Sequence, residues 1–485
     1  MNIKDLKPQR VWNHFYSLTQ IPRPSKKEEK AVLFLEKFGK DLGLETIKDE
    51  LGNIIIRKPA SPGMENRKGI IFQAHIDMVP QKNSDKVHDF EKDPIEPRIV
   101  DGWVYGTGTT LGADNGLGIA VAMAVLEDKD MVHGPVEALF TIDEEAGMNG
   151  ARGLKPGLLK GDILINLDSE DEGELYVGCA GGLDANVTFN YTEEKTPSGM
   201  GGYKLSITGL KGGHSGMDIA LGRGNANKCM VRVLLPLMKD LGARLASVDG
   251  GSLRNAIPRE AFATLAIPTQ NVAAAQKVVA QHLADIKNEL VAHEPDVKIT
   301  LDKCDAPTTL IDEKTGMNLV KAVYVCPNGV ERMSDAMPGL VETSNNLAIV
   351  KSENGKIEVK NLMRSSVDSA KEILANSIVC GFELAGAQVT LAGGYPGWKP
   401  NMDSDILKTM KSVYKNLYNK EAEVKAIHAG LECGILGGTY TNWDMISCGP
   451  TIRSPHSPDE RVEIETVDKW WIYIVEVLKN APVKK

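Results

Sequence analysis

The chain has 485 residues, of which 42% are hydrophobic and 25% are charged, and its formal net charge is −9. A chain of this length is too long for one hydrophobic core, so we expect two or more domains. The negative charge argues against nucleic acid or an anionic membrane as a partner, and the longest uncharged apolar run, Ile119 to Leu126, is too short to span a bilayer.

The amino terminus and the cysteines indicate a compartment. The first residues, MNIKDLKPQR, carry charges where a secretory signal has its apolar stretch. The seven cysteines are scattered between Cys179 and Cys448 without a C-x-x-C pair, which is typical of reduced thiols rather than of a disulfide framework. We therefore expect a cytoplasmic protein.

Segments of helical and extended character alternate in the first part of the chain. An amphipathic helix is predicted for SKKEEKAVLFLEKFGKDLG, with a capping box of Ser25 and Glu28 at its start and Gly43 at its end. The strand-like segments are GIIFQAHIDMV, PVEALFTI and DILINLD, and LGIAVAMAVLED is typical of a buried helix. This alternation predicts an α/β domain with a mostly parallel sheet, helices on both faces, and ligands beyond the carboxyl ends of the strands.

The pattern of apolar and polar residues changes after the glycines of CAGG. Strand-like segments with more alternation surround the helix-like NANKCMVRVLLPLMKDLG, and LAIVKSENGKIEVKNLMR predicts a hairpin that turns at Glu353-Asn354-Gly355. We predict an inserted α+β lid domain over 182–398, between two parts of a catalytic domain at 1–181 and 399–485. The insert can hold two related halves, although no exact repeat is visible.

Potential metal ligands follow the predicted strands. The residues at these strand ends and in two loops are His75, Asp77, Asp114, Glu144, Glu145, Asp168 and His456. Three adjacent acids, Asp143 to Glu145, follow a buried strand, where carboxylates are costly to desolvate unless cations offset their charge. Nitrogen and oxygen ligands without cysteine suit zinc, and their number suits a pair of ions about 3.5–4 Å apart.

Each of these features alone has an ordinary explanation. An H-x-D pattern arises by chance, although period two places His75 and Asp77 on one face, where Asp77 can orient the imidazole. A pair of glutamates is commonly a solvated helix start. The glycine-rich loop GTGTTLGADNGLG lacks the GK[ST] ending of a phosphate cradle, and Cys433 is more simply an inert thiol. The occurrence of all these motifs in one chain, each at a strand end or in a loop, is stronger evidence for a metal site than any one of them.

Eight motifs resemble those of the aminoacyl-histidine dipeptidase family, also called cytosol non-specific dipeptidase or peptidase D. The motifs are AHIDMV, TTLGADNGLG, TIDEEAGMNGARGL, INLDSEDEGE, LKGGHSG, RNAIPRE, HAGLECG and GPTIRSPHSPDE. This family is part of a dinuclear zinc peptidase superfamily that includes aminoacylases and carboxypeptidase G. The resemblance spans roughly Trp12 to Trp471, and no metal or catalytic position departs from the family pattern.

The resemblance implies a role for each candidate residue. His75 and Asp168 would bind one Zn²⁺, Glu145 and His456 would bind a second, and Asp114 would bridge the two ions. Asp77 would orient His75, Glu144 would be the general base, and the peptide between Asp114 and Asn115 would be cis. Co²⁺ or Mn²⁺ are possible substitutes for zinc.

The resemblance also implies substrate-binding residues in the lid, the domain through which relatives pair as dimers. His214 would stabilise the oxyanion, Arg364 would bind the substrate's terminal carboxylate, and Asn255 would also bind the substrate. Gly430 would present its backbone to the substrate. Because His214 and Asn255 lie in the first half of the insert and Arg364 in the second, we expect the lid to mimic a dimer within one chain. The alternatives are a single large lid with an extension, and a homodimer of whole chains.

We predict a zinc-dependent dipeptidase that cleaves unblocked dipeptides, notably Xaa-His such as β-alanyl-histidine. A metal-bridging hydroxide would attack the carbonyl, with Glu144 as the general base. Two other functions stay open: an N-acyl amino acid deacylase or tripeptidase of the same superfamily, and a non-catalytic protein that binds metal or peptide.

Overall fold

A computed structural model describes residues 2–484, which divide into two compact units. Within the described residues, the first unit comprises 2–178, Pro400–Ala426 and 431–484, and the second comprises Cys179–Lys399 and Ile427–Gly430. The predicted insert, 182–398, lies within the second unit. Among the described residues, no helix has both the length and the apolar character that crossing a membrane requires.

Eleven α-helices and twenty-five strands are assigned within residues 2–484. Up to the unit boundary they are α1 Gln9–Thr19, α2 Glu29–Asp41, β1 Glu45–Lys48, β2 Ile54–Lys58, β3 Ile70–His75, β4 Pro97–Val100, β5 Trp103–Gly106, α3 Ala113–Glu127, β6 Val136–Thr141, α4 Asn149–Gly153, β7 Ile163–Asn166 and β8 Glu174–Cys179. Next come β9 Gly181–Asn190, β10 Glu193–Lys195, β11 Met200–Thr208, β12 Gly213–His214, α5 Ala226–Leu241, β13 Arg244–Gly250, β14 Ala256–Ile257, β15 Ala261–Pro268, α6 Val272–Glu289, β16 Lys298–Cys304, β17 Thr309–Ile311, α7 Glu313–Val325, β18 Gly329–Met333, β19 Val341–Glu353, β20 Lys356–Ser365, α8 Asp368–Leu384 and β21 Gln388–Tyr395. The last are α9 Asp405–Tyr418, β22 Glu423–Ile427, α10 Glu432–Thr439, β23 Asp444–Ser447, β24 Ile452–Arg453, β25 Arg461–Glu463 and α11 Ile464–Lys479.

An eight-stranded sheet runs through the first unit in the order β1-β2-β6-β3-β7-β23-β8-β22. Its middle strands, β6, β3, β7 and β23, are parallel to one another, whereas β1·β2, β2·β6 and β23·β8 pair antiparallel. The predicted α/β class is confirmed, and the parallel part forms the middle of a mixed sheet. The carboxyl ends of the parallel strands therefore share one edge, where such sheets bind ligands.

Sequence patterns explain the buried elements of this unit. Every residue of β3 and β6 is buried, which is why these strands are nearly continuous apolar runs. Helix α3 is buried on all sides from Leu117 to Leu126, so it shows no polar face. No disulfide bond is assigned among the cysteines of residues 2–484.

The predicted capping box at the start of α2 is wrong. Helix α2 begins at Glu29, and neither Ser25 nor Glu28 caps it through its side chain. The Ser25 hydroxyl donates instead to Asp77 Oδ2 at 2.7 Å, and Glu28 Oε1 accepts the backbone N–H of Asp143 at 3.1 Å. Both side chains are thus engaged with the strand ends of the sheet rather than with their own helix.

The second unit is built around a nine-stranded sheet. Eight strands follow the order β16-β11-β15-β13-β19-β20-β9-β21, and β18 pairs with β19. Two halves share the element order β-α-β-β-α-β: β11-α5-β13-β15-α6-β16 in one, and β9-α7-β19-β20-α8-β21 in the other. The halves meet where β13 pairs antiparallel with β19. The first half is nested between the first strand and the first helix of the second half.

The predicted hairpin of the second half is present as β19 and β20. The connecting residues Asn354 and Gly355 have φ values of 52° and 76°, which match the two-residue turn that an Asn-Gly pair favours. Strand residues of both halves pack with helices α5 to α8 in one continuous apolar core.

Candidate active site

The predicted metal ligands of the first unit gather at one edge of its sheet. Strand β3 ends at His75, Glu145 follows β6, and Asp168 follows β7. Asp114 lies at the start of α3, and His456 lies in the loop between β24 and β25. The parallel direction of β3, β6 and β7 brings their carboxyl ends together, although these residues are far apart in the sequence.

The carboxylate of Asp114 lies between the two histidines. Its Oδ1 is 3.0 Å from His75 Nε2, and its Oδ2 is 3.2 Å from His456 Nε2. Each histidine also faces a second carboxylate: Asp168 Oδ1 is 3.3 Å from His75 Nε2, and Glu145 Oε1 is 2.9 Å from His456 Nε2. The result is two groups of one imidazole and one carboxylate each, joined by Asp114.

This donor set is suited to divalent cations. Ligand atoms of His75, Asp114 and Glu145 all lie within 4.8 Å of one another. The contacting atoms are imidazole nitrogens and carboxylate oxygens, the ligands that zinc and similar ions prefer. A carboxylate with one oxygen toward each group is the geometry that a bridging ligand requires, so the residues fit a pair of ions.

Asp77 links the imidazole of His75 to the loop that carries the glutamates. Its Oδ1 is 3.4 Å from His75 Nδ1, whose hydrogen bond at 3.2 Å goes to the Asp77 carbonyl. The Asp77 carboxylate also accepts the backbone N–H groups of Glu144 at 2.9 Å and Glu145 at 3.2 Å. Burial opposes the charge of Asp77, but the nearby His75 and the hydrogen bonds from Ser25 and Glu144 lower its pKa to about 2.

Burial and like charges act on the carboxyl groups of this cluster. Burial, with contributions from Asp168 and Glu145, raises the pKa of Glu144 well above its usual range. Burial likewise raises the pKa of Asp168 to about 6. A carboxyl group with a raised pKa can accept and release a proton near neutral pH, which a general base requires.

The same carboxylates stabilise the protonated form of the two histidines. Hydrogen bonds with Asp114 and Glu145 raise the pKa of His456 to about 11. Burial works against protonation of His75, yet Asp168, Asp114 and Asp77 raise its pKa well above the usual value. Both imidazoles thus lie in a field that attracts positive charge.

Several buried residues at this site were not singled out from the sequence. Glu460 accepts the backbone N–H groups of the loop that ends at Asp114, and burial raises its pKa to about 7. Arg23 is almost fully buried and donates to the carbonyls of Ile76 at 2.8 Å and Gly112 at 2.5 Å. Only Glu460 had a signal in the sequence, since it lies in the quoted segment SPHSPDE.

The backbone at Asp114 has an unusual form. The peptide bond between Asp114 and Asn115 is cis, as the resemblance implied. The Asn115 side chain donates to the carboxylate of Asp168, so it also contacts a predicted ligand.

The predicted substrate-binding residues belong to the second unit. His214 is in β12, and the backbone N–H of the next residue, Ser215, donates to the carbonyl of Asn255 at 2.8 Å. Arg364, near the end of β20, donates from Nε to Ser215 Oγ at 3.4 Å. These contacts bring His214, Asn255 and Arg364 into one cluster.

Further residues of the second unit join this cluster. Arg364 Nη1 is 3.3 Å from the hydroxyl of Tyr395, and a Cβ added to Gly430 would be 3.0 Å from the same hydroxyl. His428 Nε2 is 2.7 Å from Ser344 Oγ. Gly430 was among the predicted residues, whereas Tyr395, Ser344 and His428 were not, although His428 opens the quoted motif HAGLECG.

The family of this chain follows from its similarity to known proteins. Residues 71–480 match the family described as Peptidase family M20/M25/M40. The chain belongs to this peptidase family. Over 482 residues it is 46% identical to the cytosol non-specific dipeptidase of Escherichia coli, covering 99% of both chains. The predicted family resemblance and the predicted class of peptide-bond hydrolase are confirmed.

Two solved structures share the fold of this chain. The structure of aminoacylhistidine dipeptidase from Vibrio alginolyticus superposes with a TM-score of 0.96 at 46% identity, covering 100% of this chain and 99% of that one. The aminopeptidase PepT of Bacillus cereus has a TM-score of 0.58 at 17% identity, covering 98% of this chain and 99% of that one, and so shares the fold alone.

Proposed function

We propose that this M20/M25/M40 peptidase is a metal-dependent dipeptidase that cleaves unblocked dipeptides, including Xaa-His dipeptides such as β-alanyl-histidine. The names of the Escherichia coli and Vibrio alginolyticus relatives, a cytosol non-specific dipeptidase and an aminoacylhistidine dipeptidase, support this substrate class. The first of these names also supports a cytoplasmic location. The observation that carries the proposal is the carboxylate of Asp114, with one oxygen toward each histidine.

Two Zn²⁺ ions, with Co²⁺ or Mn²⁺ as substitutes, are the proposed cofactors. His75 and Asp168 would hold one ion, Glu145 and His456 would hold the other, and Asp114 would bind both. When bound, such a pair of ions polarises a carbonyl group and makes water acidic near neutral pH.

Glu144 is the proposed general base. Its raised pKa lets the carboxylate take a proton from water and then give it to the leaving amine. Asp77 is the proposed orienting residue for His75, since it contacts that imidazole and also holds the backbone of Glu144. One side chain thereby fixes the position of both a ligand and the base.

The cluster in the second unit supplies the proposed substrate contacts. The guanidinium of Arg364 offers a planar fork of donors, which suits the terminal carboxylate of a dipeptide. His214 and Asn255 would stabilise negative charge on the carbonyl oxygen. Gly430 would present backbone to the substrate. We further propose that one chain holds the full set, because the nested halves carry His214 and Asn255 in one and Arg364 in the other.

A substrate panel with metal analysis tests the function. The purified chain should contain two divalent ions and should hydrolyse β-alanyl-histidine and other free dipeptides. N-acetyl amino acids and tripeptides should be poor substrates. Faster cleavage of N-acetyl amino acids would instead favour a deacylase, and faster cleavage of tripeptides would favour a tripeptidase. Metal or peptide binding without any hydrolysis would make the chain a binding protein.

A further inference from the structure

We infer that Glu460 is a positioning residue, which sets the placement of Asp114 relative to His456. This inference rests on the proposed metal site, to which Asp114 and His456 contribute ligand atoms. Glu460 lies four positions after His456 in the sequence and far from Asp114. Its side chain nevertheless contacts the backbone that carries Asp114.

The contacts are a set of four hydrogen bonds to consecutive backbone N–H groups. Oε2 accepts those of Leu111 at 2.7 Å and Gly112 at 2.9 Å. Oε1 accepts those of Ala113 at 2.8 Å and Asp114 at 3.2 Å. Glu460 is only 2% exposed, so these donors are the partners that replace water around its carboxylate.

The donors are the two residues before α3, Leu111 and Gly112, and the first two residues of the helix, Ala113 and Asp114. The residue before this helix is Gly112, in a left-handed conformation and without a side chain that could accept a hydrogen bond. Asp114 and Asn115 have non-helical φ and ψ angles, so the N–H groups at this end have no partner from a regular helical turn and need an acceptor from elsewhere. Glu460 serves as that partner from a distant loop.

The same carboxylate also restrains the loop of His456. Ser454 and His456 both have positive φ values, 54° and 58°, and the His456 side chain is 52% exposed. The contacts of His456 itself are with Asp114 and Glu145, and the rest of the loop is held by short-range hydrogen bonds, such as that from the Glu460 N–H to the Ser457 carbonyl at 2.9 Å. Because Glu460 ends this loop and binds the Asp114 loop directly, it defines the separation of the two ligands.

Replacement by glutamine discriminates this role from simple packing. In Glu460→Gln the side chain keeps its size, but one oxygen becomes an NH₂ donor that faces backbone donors. About half of the hydrogen bonds are then lost, and the Asp114 loop is free to shift. Residues that orient metal ligands typically change metal affinity by about 10–100-fold when they are replaced. We expect a loss of this size for the more weakly bound ion.

The experiment uses the full chain, stripped of metal and titrated with Zn²⁺ or Co²⁺ alone. The parent, Glu460→Gln, Glu460→Asp and the control Asp459→Asn are compared. Asp459 is exposed in the same loop, so its variant removes an equal charge without touching the Asp114 loop. We expect weaker Co²⁺ binding and an altered visible spectrum of bound Co²⁺ in both Glu460 variants. kcat should fall while KM changes little, and the control should match the parent.

Each other outcome overturns an identified claim. Unchanged affinities and an unchanged Co²⁺ spectrum in folded Glu460→Gln would refute the positioning role. If both Glu460 variants fail to fold, as judged by circular dichroism, Glu460 is a stability residue and the inference is wrong. If the parent itself binds no second ion, the proposed metal pair fails, and that result is distinct from a failure confined to Glu460.

Discussion

The histidines of the two clusters, His75 and His456 in the first unit and His214 and His428 in the second, experience opposite electrostatic environments. In the first unit, the carboxylates of Asp114 and Glu145 raise the pKa of His456 to about 11. In the second unit, burial and the neighbouring Arg364 lower the pKa of His214, and they lower that of His428 to about 4. One cluster therefore attracts cations, whereas the other combines a fixed positive charge with neutral imidazoles.

This difference explains how one residue type serves two purposes. Carboxylates around an imidazole favour a bound cation, as a metal ligand requires. A guanidinium beside neutral imidazoles favours an anion, such as a terminal carboxylate or a developing oxyanion. The identity of the neighbours, rather than of the histidine, separates the two roles.

The largest expected effect concerns the proton-transfer role in the first unit. Glu144→Gln keeps the shape of the side chain but cannot accept a proton. Turnover should fall by about 10²–10⁴-fold, with near-normal metal content by elemental analysis. If this variant loses metal and excess zinc restores its activity, the roles of Glu144 and Glu145 are reversed.

Loss of a ligand should give a different phenotype. His456→Ala and Glu145→Gln each remove one donor from the same ion, so occupancy should drop from two ions toward one, and turnover should be nearly abolished. Activity of Glu145→Gln should partly recover in excess zinc, because mass action refills a weakened site. An unaltered stoichiometry with full activity in His456→Ala would refute the ligand assignment.

A smaller effect tests the cationic cluster of the second unit. Arg364→Lys keeps the charge but replaces a planar fork by a point charge. Loss of one charge-assisted hydrogen bond costs about 1.5–3 kcal/mol, so kcat/KM for free dipeptides should fall by about 10–100-fold. The parent should discriminate against dipeptide amides. Equal cleavage of amides and free dipeptides by the parent would exclude the carboxylate role.

Unfolding at different pH values tests the neutral state of His428. Its pKa is lowered from the ordinary value of 6.5 to about 4, so between these values the unfolded chain binds more protons at this site than the folded chain. Stability therefore falls as the pH falls, by about 2 kcal/mol between pH 7 and pH 5. His428→Gln should show a smaller loss over this range in urea denaturation. Equal pH dependence in the parent and the variant would contradict the assignment.

The weakest expected effect is an absence of complementation. We mix an inactive His214→Ala chain with an inactive Glu144→Ala chain under conditions of subunit exchange. If one chain holds the whole set of residues, activity should not return. Recovery of activity would mean that His214 acts across subunits.

The sequence predicts residues whose chemistry is tied to a local pattern. His75 and Asp168 are predicted as strand-end ligands because an apolar run followed by a ligand type is typical of the end of a parallel strand, and the structure places both residues at such strand ends. The Asn-Gly hairpin was found because only a few residues favour its turn. In these cases, the structural cause and the signal occupy the same short segment.

Other residues could not be predicted because their partners are distant or are backbone groups. Glu460 binds N–H groups that any sequence would offer, so no side-chain pattern marks the contact. Ser25 and Glu28 have the spacing of a capping box, yet Asp77 and the backbone of Asp143 compete successfully for their side chains. The nested halves of the second unit were also hard to read, because a shared order of strands and helices needs no shared residues.

The nesting of the second unit has a consequence for how the chain can be cut and rejoined. The segments that lead into and out of the first half run side by side, since β10 pairs antiparallel with β17, and Thr196 N–H donates to the Thr308 carbonyl at 3.2 Å. The same holds for the larger segment, which contains both halves. Its first and last strands, β9 and β21, are also paired, with Gly182 opposite Tyr395. In each segment, the strand that enters it is therefore paired with the strand that leaves it. Either segment could be exchanged or removed at its pair of strands, because the ends that would have to be rejoined are already neighbours.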